Sequence, residues 1–246
     1  MQTHIDSSGH FKCSYFKGKT ALLYICIFKK ITSMNSNIIQ VYAPQEERIN
    51  AISHAIGAVC AAIATVFMLI KGSDLPAWQF FGLVVYGLSM VLLFSSSAIY
   101  HFSIDEKKRQ WFKKLDHTAI YYLIAGTYTP FLAIAIPTTK AHYLLIALWV
   151  IAAIGTLFKL VFIHRFQKIS LIAYLVMGWL AVLVIDDMQR FLSSGALTLL
   201  VAGGLAYTIG ALFYALKRVR YTHAIWHIFV LIGAGLQFFA IYLYVI

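Results

Sequence analysis

The chain has 246 residues, of which 61% are hydrophobic and only 12% are charged, and its net charge is +11. Soluble domains carry about 25% charged residues, whereas seven membrane spans of ~21 residues would use ~147 apolar positions. The composition excludes a water-soluble globule and a disordered chain, and it indicates a polytopic membrane protein. Little chain remains for a large domain outside the membrane.

The N-terminal arm, residues 1–43, is polar and rich in lysine, with one apolar patch at 20–28. The patch is too short to span a bilayer. Lys29 and Lys30 follow it where a signal peptide would carry small residues for cleavage. We therefore expect a disordered or surface-lying arm without an assigned function, and Met34 is an alternative start.

Seven intervals without charged residues fill most of the remaining chain, and we expect each to form a helix that crosses the membrane. A helix is the state that satisfies every backbone hydrogen bond in hydrocarbon, and ~17–25 residues are enough to cross it. The fourth interval is expected to continue past Lys159, and the fifth is the shortest. The intervals are 49–70, 75–104, 117–139, 141–158, 169–185, 191–216 and 221–246. The sequence therefore predicts an all-α membrane protein, a seven-transmembrane helix bundle over residues 44–246.

Lysine and arginine are unevenly divided between the alternate loops of this bundle. The loops after the first, third and fifth spans contain three of these residues, and the opposite set contains ten. Because basic residues remain on the cytoplasmic side, the N-terminus is predicted to be cytoplasmic and the C-terminus to be outside. The charge is thus a topology signal, with membrane lipids as the expected partners and no nucleic acid.

Polar residues of three distant segments converge on the cytoplasmic side of this topology. Ser97 and His101 end the second span, Asp116 begins the third, and His223 and His227 begin the seventh. Ionisable side chains inside membranes are costly and are candidates for function. His223 and His227 are four residues apart, so their imidazoles project from one face of a helix.

This set predicts a Zn²⁺ site with His101, His223 and His227 as ligands. Three protein ligands leave a fourth position for water, which is the pattern of a catalytic zinc ion. Asp116 is then the candidate general base, and Ser97 is a candidate for stabilising an oxyanion. Fe²⁺ and Mn²⁺ remain alternatives.

A simpler interpretation exists for each residue taken alone. Paired histidines at a membrane interface are often packing residues, and an acidic residue near a helix N-terminus is favoured by the helix dipole. Ser97 alone could be a small packing residue. The convergence of the set favours the metal site.

A second polar stripe lies at the cytoplasmic end of the first span. Glu47, Asn50 and His54 occupy positions i, i+3 and i+7 and therefore share a helical face. Such residues could orient the metal ligands from outside the coordination sphere or bind a lipid headgroup. A capping and interfacial stripe is an equally good interpretation.

Four motifs together resemble the hemolysin III proteins of bacteria, the bacterial branch of the progestin and adipoQ receptor group. They are Glu47-Arg48-Ile49-Asn50-Ala51-Ile52-Ser53-His54, Ser97-Ala98-Ile99-Tyr100-His101, Lys114-Leu115-Asp116-His117 and His223-Ala224-Ile225-Trp226-His227. The resemblance covers about residues 45–246. It implies a seven-helix bundle in the bacterial cytoplasmic membrane with zinc near the cytoplasmic face, and in the wider superfamily such a site is associated with hydrolysis of lipid amides.

Several functions remain open at this point. The first is a metal-dependent hydrolase of lipid amides or esters. The alternatives are a non-enzymatic regulator of membrane state with structural zinc, a receptor-like protein, and a cytolysin, as the family name suggests. The spans contain no continuous polar stripe from face to face, as an oligomeric pore would need.

Overall fold

The computed structural model of the chain describes residues 42–162, 166–216 and 219–246. Of the predicted N-terminal arm, only Tyr42 and Ala43 lie within these residues. The described residues contain seven helical segments that are long and apolar enough to cross a membrane. This confirms the all-α, seven-span prediction; the orientation of the termini stays a prediction.

The seven spans are built from eight α-helices, because the fifth span is divided. The helices are α1 (Pro44–Lys71), α2 (Ala77–Phe102), α3 (Glu106–Pro130), α4 (Thr139–Phe162), α5 (Gln167–Trp179), α6 (Ile185–Phe191), α7 (Ser194–Ala215) and α8 (Thr222–Tyr244). The fifth span consists of α5, a 3₁₀ segment over Leu180–Val184, and α6.

Local sequence explains where the helices start. Pro44 opens α1 at a position where its missing N–H costs nothing. Asp105 caps α3, since its carboxylate accepts a hydrogen bond from the Lys108 N–H at 2.8 Å. Ser193 caps α7 in the same way by accepting from the Ala196 N–H at 3.2 Å.

The third span changes its helical form after Pro130. A π-helical segment, Phe131–Ala135, follows at once, and the Ile136 N–H donates to the Phe131 carbonyl oxygen at 3.1 Å. This five-residue spacing is that of a π-helix. It extends the third span to Ala135.

The helices are arranged around α2 and α3. In an 18-residue apolar stretch of each of these two spans, 61% of the residues are buried, whereas 22% are buried in the corresponding stretches of α1, α4 and the fifth span. The outer helices expose large apolar side chains, as lipid-facing surfaces do. Lys159 on α4 is buried, with 1% of its surface exposed, so it faces protein and does not reach towards the interface.

The first and last helices are neighbours in the bundle. α1 packs against both α2 and α8, and α7 packs against α8. The starts of α1 and α8 and the end of α2 therefore meet at one end of the molecule.

Candidate metal centre and cavity

Three imidazoles from α2 and α8 form a compact cluster. One ring nitrogen from each of His101, His223 and His227 lies within 4.8 Å of the others. The Nε2 atom of His223 lies 3.3 Å from Nε2 of His101 and 3.1 Å from Nε2 of His227. Two nitrogens bound at ~2.0–2.1 Å to one tetrahedral ion are about 3.3 Å apart. The spacing thus fits three ligands of a single ion.

The outer nitrogens of two of these rings are held by α1. Nδ1 of His101 lies 2.6 Å from a carboxylate oxygen of Glu47, and Nδ1 of His227 lies 3.2 Å from the carbonyl oxygen of Asn50. Both partners are acceptors, so each Nδ1 carries the proton and each Nε2 keeps a free lone pair. Hydrogen bonds of this kind fix the tautomer and the orientation of metal-binding histidines.

The predicted stripe on α1 meets the cluster in three different ways. Glu47 uses its side chain, whereas Asn50 uses its backbone carbonyl; among the described residues the Asn50 side chain has no hydrogen-bond partner. His54 stacks on the His227 ring, with centroids 3.7 Å apart and planes 12° apart. Neither ring nitrogen of His54 has a hydrogen-bond partner in the described part of the chain.

Two residues that the sequence analysis did not assign complete this arrangement. The Arg109 guanidinium pairs with the second oxygen of Glu47, which also accepts from the Tyr42 N–H at 3.1 Å. The Tyr42 ring stacks on His223 with centroids 4.5 Å apart, and burial raises the pKa of its hydroxyl. In the sequence, Arg109 contributed only to the count of basic residues on the cytoplasmic side. Its place in the first turn of α3, on the same side as Glu47, was the available signal.

Asp116 and Ser97 lie on the wall of a cavity that His223 and His227 of the cluster also line. A carboxylate oxygen of Asp116 is 3.4 Å from Nδ1 of His117. The Ser97 hydroxyl is buried and has no hydrogen-bond partner within the described residues. The structure thus brings both predicted catalytic residues to the same cavity as the cluster.

The cavity is long and mostly apolar. Its volume is about 140 Å³, whereas one water needs ~10–15 Å³. It extends along α8 from His223 to Gln237, a rise of ~21 Å. Side chains of α3, α5 and α7 form the other walls, including Ile120 and Leu123. Most of this space is apolar, and His223 and His227 lie at one end of it.

Comparison with known proteins shows the family of this chain. The family model described as "Haemolysin-III related" matches residues 42–238. The chain belongs to the haemolysin III family. The matched region covers all seven spans apart from the end of α8, and it includes each residue of the cluster and its supports.

Individual members of the family are similar over nearly their whole length. The chain is 39% identical over 205 residues to "Hemolysin-3 homolog" of Bacillus subtilis (strain 168), covering 83% of this chain and 96% of that protein. It is 40% identical over 203 residues to "Hemolysin-3" of Bacillus cereus, covering 82% and 93%. The resemblance read from the four motifs is thereby confirmed.

The similarity also reaches animal proteins. The chain is 28% identical over 205 residues to the human "Monocyte to macrophage differentiation factor", covering 81% of this chain and 84% of that protein. This agrees with the relation of haemolysin III proteins to the progestin and adipoQ receptor group. The protein is therefore a multi-pass integral membrane protein of this family.

Proposed function

We propose that the protein is a metal-dependent hydrolase of lipid amides or esters, with Zn²⁺ held by His101, His223 and His227. The observation that carries the proposal is the three-imidazole cluster at the end of a long apolar cavity, beside a carboxylate and a hydroxyl. Imidazole ligands without thiolates suit Zn²⁺, with Fe²⁺ and Mn²⁺ as alternatives.

Different residues of this chain have different roles in the hydrolysis. The apolar walls hold the acyl chain, so the carbonyl group lies at the polar end near Ser97 and Asp116. The Ser97 hydroxyl donates a hydrogen bond to the carbonyl oxygen as negative charge develops there. When bound, the ion supplies Lewis acid chemistry, polarising the carbonyl and lowering the pKa of water.

Asp116 acts first as the general base and then as the general acid of the hydrolysis. Its carboxylate takes a proton from the attacking water as the oxygen adds to the carbonyl carbon. The same carboxylic acid then gives the proton to the nitrogen or oxygen of the leaving group as that bond breaks. The products are a fatty acid and an amine or alcohol, and Asp116 is again a carboxylate.

A direct test measures the release of fatty acid from a fluorescent lipid amide by the purified protein in nanodiscs. His101→Ala should abolish turnover, because one of three ligands is lost, and it should leave a folded bundle. His142→Ala is the matched control, since His142 lies exposed on α4 outside the cluster. Undiminished turnover by metal-free protein would rule out the metal-dependent mechanism.

A structural role for the metal is the second candidate. The cluster joins the end of α2 to the start of α8, so an ion there would tie distant parts of the chain together. In a regulator or receptor of this kind, chelation lowers thermal stability but no candidate lipid is hydrolysed. Turnover that disappears on chelation and returns with added Zn²⁺ contradicts this candidate.

The proposed location is the bacterial cytoplasmic membrane, with the metal site on the cytoplasmic side and membrane lipids as partners. The basic residues at the start of α3, Lys107, Lys108 and Arg109, lie at the same end of the bundle as the cluster, which supports this orientation. A C-terminal alkaline phosphatase fusion should be active, and a C-terminal green fluorescent protein fusion dark. The reverse pattern contradicts the orientation.

A further inference from the structure

The cavity has a second polar region far from the histidines. Tyr207 on α7 and Gln237 on α8 both line it, and Gln237 lies ten residues after His227. At 1.5 Å per residue, this is a rise of ~15 Å along α8. We call these two side chains the inner subsite.

Glycines on the facing helices create the room for both side chains. A Cβ atom at Gly203 would lie 2.6 Å from Nε2 of Gln237, and one at Gly233 would lie 2.8 Å from the Tyr207 ring. Each polar side chain of the inner subsite therefore packs against a glycine of the opposite helix. Larger residues at these positions would displace it.

The inner subsite has two buried polar atoms without partners. The Tyr207 hydroxyl and Oε1 of Gln237 make no hydrogen bond to any described residue, and only 5% of Gln237 is exposed. Nε2 of Gln237 donates to the Leu200 carbonyl oxygen at 3.0 Å, which fixes the amide so that Oε1 is the free acceptor. Buried polar atoms are nearly always satisfied, so a ligand group is the natural partner.

We infer that the inner subsite binds a hydroxyl group carried by the chain of a bound lipid. A hydroxyl can donate to Oε1 of Gln237 and accept from the Tyr207 hydroxyl, so it offers both the donor and the acceptor that these two atoms lack. A column of water along the aliphatic walls would lack polar partners. A hydrocarbon chain fills that space and can place one hydroxyl, far from its carbonyl end, at the inner subsite. The inference rests on the proposed lipid substrate and narrows it to chain-hydroxylated lipids.

The experiment compares a long-chain acyl amide with twins that carry one hydroxyl at successive chain positions. Their affinities are measured by displacement of the radiolabelled plain amide from purified full-length protein in nanodiscs, with hydrolysis followed in parallel. The twin whose hydroxyl lies ~15 Å from the amide should bind about tenfold more tightly than the plain amide, and twins hydroxylated elsewhere should not.

Two variants and one control assign that preference to the inner subsite. Tyr207→Phe removes one hydroxyl and keeps the ring against Gly233, and Gln237→Met removes the acceptor. In each variant, the affinities for the plain amide and for the favoured hydroxylated twin should differ by no more than about twofold. Gln237→Met also loses the hydrogen bond to the Leu200 carbonyl oxygen. If this loss prevents Gln237→Met from folding, the affinities measured for Tyr207→Phe alone decide the test. Thr156→Val removes a buried hydroxyl that also lacks a partner among the described residues but does not line the cavity; it should keep the full preference.

The outcomes separate this inference from the proposed function. Equal affinity for the plain amide and every twin would mean that the inner subsite holds only water, and a preference unchanged by Tyr207→Phe would place the recognition elsewhere. Either result overturns the inference, while continued hydrolysis of the plain amide keeps the proposed function. Failure of every amide and of the matching esters to bind would overturn both.

Discussion

Glu47 is the residue on which most of the support for the histidine cluster converges. Its two carboxylate oxygens contact His101 on α2, Arg109 on α3 and the Tyr42 backbone. A carboxylate that holds Nδ1 of a metal-binding histidine makes the other nitrogen a better ligand. The Arg109 charge keeps the carboxylate oriented towards the ring.

Glu47→Gln should weaken metal binding without removing a ligand. The amide keeps the size of the side chain but lacks the charge that holds His101 and Arg109. We expect metal affinity to fall by about 10–100-fold, measured by competition with a chromophoric chelator. Glu106→Gln, at an exposed position in the first turn of α3, is the control. Equal affinity in Glu47→Gln and the unmodified protein would show that the carboxylate does not tune the ligand.

Tyr42 covers the His223 ring, and its removal should speed exchange of the ion. Tyr42→Ala takes away the stacked ring, so a chelator reaches the cluster more easily. We expect the rate of metal release to rise several-fold in a stopped-flow assay with excess chelator. Tyr42→Phe keeps the ring and should release metal at the original rate. Equal rates in both variants and the unmodified protein would contradict a covering role.

The histidines could be predicted from the sequence, whereas part of their support could not. The four-residue spacing of His223 and His227 fixes a shared face whatever the packing, and topology alone brings His101 to the same end. Asn50 contributes a backbone carbonyl, which every residue type possesses, so its amide side chain gave no information about this contact. The stacking of Tyr42 depends on how the chain enters α1, which periodicity does not describe.

At the scale of helices, the fifth span is the irregular element. Its backbone passes from α5 through the 3₁₀ segment to α6 within the bundle. The Tyr128 hydroxyl on α3 donates to the Gly178 carbonyl oxygen at 2.6 Å and accepts from the Ala181 N–H at 2.8 Å. These are backbone groups released by the break, and an apolar environment offers them no water.

Tyr128→Phe should therefore destabilise the bundle. Both backbone groups would lose their partner, and leaving such groups buried and unsatisfied costs ~1–3 kcal/mol each. We expect a lower melting temperature in detergent, followed by intrinsic fluorescence. Tyr122→Phe is the control on the same helix, because no described residue hydrogen-bonds to the Tyr122 hydroxyl. Equal melting of the two variants would mean that other groups satisfy the break.

The existence of the fifth span could be predicted, but its break could not. The charge-free window at 169–185 is long enough for one helix, and no proline interrupts it. Charge counting ends the span before Asp186, yet the helical segment continues to Phe191. The break depends on a hydroxyl from α3, which is a long-range contact. Pro130 in α3 is by contrast a local signal, since a proline inside a helix removes a backbone hydrogen bond, and a π-helical segment follows it directly.

At the scale of the whole molecule, the cluster lies where the first helix of the bundle packs against the last. The cluster comes from α2 and α8, and Glu47, Asn50 and His54 of α1 contact it, so the first, second and last spans of the bundle meet there. α1 packs against both of the others. An ion held by α2 and α8 therefore acts between segments more than a hundred residues apart in sequence.

Removal of the metal should consequently lower the stability of the whole bundle. An ion that binds only the folded state stabilises it by ~4 kcal/mol when present at 1,000 times its dissociation constant. We expect chelation to lower the melting temperature of the purified protein, and added Zn²⁺ to restore it. His227→Ala should melt at the same temperature with and without chelator, whereas His142→Ala should keep the full difference. A chelator effect that persists in His227→Ala would assign the stabilising ion to another part of the molecule, because the cluster would then lack one of its three nitrogens.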